Sequence, residues 1–70
     1  MSREIAVRIN GRKERIEEGL TVARLLSARK INPETVVVEI NLDIIPRDAH
    51  ESRRLAAGDR VEILHFVGGG

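Results

Sequence analysis

The pair Asn10-Gly11 sets the first constraint on this chain. It directly follows Ile5, Val7 and Ile9, which alternate with Ala6, Arg8 and Asn10 in the period of two that marks a half-buried strand. Asn-Gly at the end of such a run is the strongest short-range signal for a tight hairpin turn. The chain must then return along about Arg12 to Glu17, where Ile16 is the one clear apolar anchor. The charges around it are those of an edge strand that resists unwanted pairing. A two-stranded hairpin does not stand alone in water, so the remaining residues must supply more strands and a cover.

They supply both. Glu18-Gly19 breaks the return strand, and Leu20-Thr21 leads into a helix with Thr21 as its N-cap. Val22, Leu25 and Leu26, with the stem of Arg29, fall at helical spacing, while Arg24, Ser27 and Lys30 turn away. Arg24 holds the third helical position, so the reciprocal capping box is absent. Arg29 and Lys30 suit the negative end of the helix. Asn32-Pro33 is expected to stop it, because a residue before proline is pushed out of helical geometry. The β-branched run Val36-Val37-Val38-Glu39-Ile40 is a strand, Asn41-Leu42-Asp43 a short turn, and Ile44-Ile45 a short strand. Pro46 denies that strand a ladder donor and sends it to an edge. A polar connection with one helical turn covers Arg47 to Arg54, and Gly58-Asp59 turns the chain into a last strand from about Arg60 to Val67.

The expected architecture is α+β: a mixed sheet of four to five strands with one main helix packed on one face. One helix covers one sheet face only. On the last strand Val61, Ile63, His65 and Val67 fall on one side and Glu62, Leu64 and Phe66 on the other. Leu64 and Phe66 are therefore expected on the uncovered side, as an exposed apolar patch of the kind that marks a binding surface.

Seventy residues allow one domain with a modest core. With no cysteine there is no disulfide, thiolate metal site or cysteine nucleophile, and His50 and His65 alone are too few for a metal centre. No apolar run approaches the roughly 20 residues that span a membrane. The start Met-Ser-Arg-Glu-Ile carries no apolar leader, so a cytoplasmic protein is expected. Twelve Lys plus Arg against eleven Asp plus Glu leave a net charge of +1, and Phe66 is the one aromatic residue. Neither a basic field nor a stacking platform for nucleic acid is present.

After Val67 the sequence reads Gly68-Gly69-Gly70. Glycine lets another chain approach closely and leaves an acyl carbon free of side-chain crowding. The expected division is a domain over residues 1–67 and a flexible glycine tail over 68–70.

This order of elements, running into glycines, resembles the β-grasp (ubiquitin-like) fold, and more narrowly the ThiS family of sulfur carriers in thiamine biosynthesis. The matching stretches are Ile9-Asn10-Gly11, Gly19-Leu20-Thr21-Val22 with Leu25-Leu26, Val37 to Asn41, Ile45-Pro46-Arg47, Leu55 to Ile63, and Gly69-Gly70. The resemblance implies a protein substrate and not an enzyme. A ThiF-like activating enzyme uses ATP to adenylate the Gly70 carboxylate, a persulfide donor replaces the nucleotide by sulfur, and the thiocarboxylate serves thiazole synthase (ThiG-like). Gly68 and Gly69 thread the tail, Leu64 and Phe66 form the partner-binding face, and no cofactor, metal, nucleic acid or membrane is involved. Gly68 stands where the family often has a larger residue.

Three alternatives stay open: a MoaD-like carrier for molybdopterin synthesis, a ubiquitin-like modifier that links Gly70 to a lysine, and a passive interaction domain. His65 reads as an ordinary strand residue before a base, since a base needs a positioned partner. Asp59 reads as turn chemistry. Arg47, Arg53, Arg54 and Arg60 read either as a dock for an acidic rim or as a solvated face.

Overall fold

The computed structural model describes residues 3–66, so Val67 and the expected glycine tail lie outside the described residues. The first hairpin forms where the sequence places it: β1, Glu4–Ile9, pairs antiparallel with β2, Arg12–Glu17. Asn10 and Gly11 have φ of +51° and +82°, the geometry of the mirror-image turns whose twist matches paired strands.

The helix α1, Val22–Ala28, opens on Thr21, whose Oγ1 accepts from the Arg24 N–H at 3.2 Å. Its end differs from the expectation. Lys30 takes a left-handed φ of +58°, the Ile31 N–H donates to the Leu26 carbonyl at 2.9 Å, and the Lys30 N–H donates to the Ser27 carbonyl at 3.0 Å. That pair of bonds is a Schellman closure, so the helix has ended before Asn32-Pro33 is reached. Pro33 instead begins a single 3-10 turn, Pro33–Thr35, capped by the Asn32 side chain. Arg29 is the exposed C-cap residue, ion-paired with Glu14, rather than part of the buried stripe.

β3, Val36–Ile40, turns back into the three-residue β4, Asp43–Ile45, and a second 3-10 turn, Arg47–Ala49, starts the connection to β5, Arg60–His65. The sheet order is β2-β1-β5-β3-β4, with β5 parallel to β1 and antiparallel to β3. The strand drawn last from the sequence thus lies in the centre, and the two charged or proline-flanked strands lie at the edges. This is the β-grasp arrangement.

Core residues come from the helix and four of the five strands: Val7, Ile9 and Ile16 from the first hairpin, Val22, Leu25 and Leu26 from the helix, Val36, Val38 and Ile40 from β3, and Val61 and Ile63 from β5, with Leu55; Ile45 of β4 packs against them. β1, β3 and β5 contribute alternate residues, so the helix seals one face and the opposite parity is left outside.

Two asparagines tie β5 into the middle. Asn10 Oδ1 accepts from the Ile63 N–H at 2.7 Å, while its Nδ2 donates to the Ile63 carbonyl at 3.3 Å. On the other side Asn41 Oδ1 accepts from the Arg60 N–H at 3.0 Å, and its Nδ2 donates to Asp59 Oδ1 at 3.0 Å. Each sits in a hairpin turn with positive φ, and each amide replaces ladder bonds that the turning backbone no longer makes.

The β3–β4 turn carries a cost. Leu42 has a φ of +74° and is 75% exposed, so a bulky side chain holds a left-handed conformation without burial in return. That conformation costs a non-glycine residue about 1–2 kcal/mol, and glycine's extra unfolded-state freedom offsets about half of it. Leu42→Gly is expected to raise stability by roughly 0.5 kcal/mol in urea denaturation. A loss above about 1 kcal/mol would mean that Leu42 packs against the fold.

Candidate functional site

The helix-free face of the sheet is the candidate site. Leu64 lies there because Val61 and Ile63 face the helix, and Leu64 and Phe66 are 46% and 51% exposed. That agrees with the side expected for both. Phe66 follows the last residue of β5, yet its N–H still donates to the Thr35 carbonyl at 3.3 Å, so the end of the 3-10 turn before β3 holds the backbone on which it stands.

Register shows what lies beside them. Val37 of β3 is the cross-strand partner of Leu64, and Ile44 of β4 is the partner of Glu39, which in turn faces Glu62 of β5. Ile44 is 66% exposed and Val37 is half-buried. The apolar band therefore runs obliquely over three strands, Phe66 and Leu64 on β5, Val37 on β3 and Ile44 on β4. The sequence reading found the β5 half alone. Ile44 belongs to it because the two-residue turn at Asn41-Leu42 fixes the parity of β4 against β3, a pairing signal present in the sequence but not followed through.

The remaining candidates do not gather there. His65 is exposed at the end of β5 with no side-chain hydrogen bond among the described residues. His50 is buried behind the helix side, its carbonyl accepting from the Ala23 N–H. Asp59 is indeed turn chemistry, and more: it is 7% exposed, with Oδ2 accepting from the Ala56 N–H at 2.8 Å and Oδ1 from Asn41. Of the four arginines, Arg47 pairs with Glu34 at 3.7 Å, and Arg53 reaches the Arg54 carbonyl and lies 4.0 Å from Asp59. Arg54 forms a bridge with Thr21, which leaves Arg60 as the one on the open face. Among the described residues no group of three or more His, Asp or Glu side chains is placed to hold a metal ion. No helix there is long and apolar enough to cross a membrane. Gly68, Gly69 and Gly70 lie outside the described residues.

Chemically, this surface offers no acid, base or nucleophile in a cleft. It offers an apolar band of Leu64, Phe66, Val37 and Ile44 that the helix does not cover.

The chain is 36% identical over 62 residues to a thiazole synthase of Paramagnetospirillum magneticum, a match covering 89% of this chain and 19% of that protein. The chain thus spans about a fifth of that relative's length. It is 38% identical over 50 residues to the sulfur carrier protein ThiS of Bacillus subtilis, with 71% of this chain and 76% of that protein covered. The crystal structure of the thiamine biosynthesis protein ThiS from Geobacter metallireducens superposes with a TM-score of 0.82 at 38% identity, covering 94% of this chain and all of that one. The sequence model of the ThiS family matches residues 2–70, and on that span, with the β-grasp sheet and its open apolar face, the chain belongs to the ThiS family.

Proposed function

We propose that the protein is a sulfur carrier in thiamine biosynthesis, acting through the carboxylate of Gly70. A ThiF-like activating enzyme joins that carboxylate to the α-phosphate of ATP, releasing pyrophosphate. The acyl adenylate is a good electrophile where the carboxylate was a poor one, which splits one hard step into two easier ones. The terminal sulfur of a persulfide donor then attacks the acyl carbon and AMP leaves. Cleavage of the remaining S–S bond by a thiol, itself oxidised to a disulfide, frees the thiocarboxylate. Thiazole synthase takes the sulfur from it.

In this reading the chain contributes no catalytic group. It contributes glycines without side-chain bulk, a span of about 10 Å over three extended residues, and the apolar band of Leu64 and Phe66 as the docking face. What carries the reading is the family match over residues 2–70, joined to an uncovered apolar band on the strand that runs toward Gly70. Similarity to a thiazole synthase over 89% of the chain favours the thiamine branch over molybdopterin synthesis.

The test is an intact mass spectrum after incubation with ATP, the activating enzyme and a persulfide donor. Replacement of one oxygen by sulfur is the expected result. An unshifted mass, with an enzyme that demonstrably activates another carrier, would remove the carrier reading and favour a passive domain. A ladder of covalent conjugates would point to a modifier.

A further inference from the structure

The open face is sorted by charge as well as by polarity. Arg8 is the cross-strand partner of Lys13 in the antiparallel β1–β2 ladder and of Arg60 in the parallel β1–β5 ladder. Lys13, Arg8 and Arg60 therefore stand in one row across three adjacent strands, all exposed and all on the side away from the helix. Like charges directly opposite one another destabilise a sheet. Nothing in the described fold relieves them: the ion pairs among the described residues use Arg15, Arg29, Arg47 and Arg53, and Arg8 Nη1 reaches only the Gly11 carbonyl, at 3.4 Å. Of the acidic side chains on the same face, Glu4 pairs with Arg15 and stands opposite Glu17, while Glu62, two residues along β5 from Arg60, stands opposite Glu39 and makes no ion pair with the row among the described residues.

The chemistry of the row selects its occupant. Clefts beside Gly19 and Thr21 and beside Leu26 and Ile31 lie on the helix side and include none of the three cations, and the row itself, exposed on the flat face of a sheet, offers a small anion no concave cradle. Phosphate backbones are disfavoured by a net charge of +1 and by the lack of aromatic residues in the row. A flat line of three cations, one residue pair (Glu62 and Glu39) away from the apolar band, fits a protein surface with carboxylates along its rim. Arg60 and Leu64 share one strand and one face, four residues or about 13 Å apart, with Leu64 on the side toward the glycines.

We propose that Lys13, Arg8 and Arg60 dock against a carboxylate-lined rim on the activating enzyme and orient the carrier so that the Leu64–Phe66 end leads. The inference rests on the carrier reading above. The row acts at long range during encounter and the apolar band acts at contact, the usual division between electrostatic steering and desolvated packing.

The experiment measures association rates with the activating enzyme by stopped flow at low and high salt. Arg8→Glu changes the row to plus, minus, plus, which creates favourable cross-strand pairs, so its melting temperature should be unchanged or higher. Its association should nonetheless fall about tenfold at low salt, with the difference from wild type vanishing at high salt. Arg24→Glu, exposed on the helix side, makes the same change in net charge and should slow association far less. Arg60→Gln gives a neutral second variant with a smaller loss in the same direction. Equal effects of Arg8→Glu and Arg24→Glu, or no effect of Arg8→Glu and Arg60→Gln, would overturn the proposal. Wild-type protein is loaded with sulfur at saturating carrier in parallel: failure there rejects the carrier reading, whereas loading without a salt-dependent Arg8 effect rejects only the docking row.

Discussion

Deleting Gly70 should abolish sulfur loading completely while leaving the folded domain as it was. Among the described residues the buried ones end at Ile63, and β5 is held there by Asn10, Asn41 and β3. A change beyond them falls with surface substitutions, within about 0.5 kcal/mol, which for a domain of this size is a melting shift of roughly 2–4 °C. The chemical effect has no such cushion. Adenylation and thiolation take place at one acyl carbon, and a chain ended at Gly69 presents it one residue, about 3.5 Å, short of the reacting phosphate. Misplacement by even 1 Å can cost a hundredfold in an enzyme site. Gly69→Trp tests the companion requirement for an unhindered passage and should also abolish the mass increase, with melting unchanged. If the Gly70 deletion still acquired sulfur, or still supported growth of a thiazole-requiring strain, Gly70 would not be the loaded residue; loading of Gly69→Trp would instead remove the need for an unhindered passage.

What the sequence disclosed depended on how far apart the interacting residues stand. The first hairpin, the N-cap at Thr21, the run Val36–Ile40 and the edge placement of Ile44-Ile45 all rest on neighbours within a few positions, and all appear as expected. The helix end did not, because two signals compete there. Proline at 33 forbids continuation, but Lys30 had already accepted a left-handed conformation that lets Ile31 pack with the core beside Leu26. A favourable tertiary contact outweighed the modest local cost of a lysine with positive φ. Parity along β5 puts His65 on the core-facing side, yet it is exposed, since buried positions on β5 end at Ile63.

The site divides the same way. Parity along one strand is enough to put Leu64 and Phe66 opposite Val61 and Ile63. Adding Val37 and Ile44 requires the registers of β3 with β5 and with β4, and the row Lys13–Arg8–Arg60 requires pairing between strands from opposite ends of the chain. The arginines grouped from their closeness in sequence, Arg47, Arg53, Arg54 and Arg60, are spread over a 3-10 turn, a loop and β5 instead. The amide contacts of Asn10 and Asn41 were invisible for the same reason: both residues advertise a turn, and nothing local tells that their side chains also hold β5.

Replacing Leu64 and Phe66 together with glutamine should weaken binding to the activating enzyme about a hundredfold or more while the protein stays folded. Glutamine removes the apolar contact without adding charge, so the result does not mix with steering by the cationic row. Anchors at the centre of a protein interface that act as hot spots contribute about 2 kcal/mol or more each, and about 1.4 kcal/mol is tenfold in affinity, so a loss of about 2.8 kcal/mol shared by the pair is a hundredfold. Stability responds differently because both side chains are already about half in water, 46% and 51% exposed, and neither belongs to the core cluster. The expected loss is below about 1 kcal/mol, a melting shift of at most 4–8 °C for about seventy residues. Leu26→Gln, at a position 1% exposed, supplies the contrast and should unfold much of the protein. A collapse in melting temperature for the Leu64 and Phe66 pair would assign them to the core, and unchanged affinity would move the docking surface off this face. Sulfur loading measured at saturating enzyme should recover much of its wild-type extent, because the band supplies affinity while the acyl chemistry belongs to Gly70.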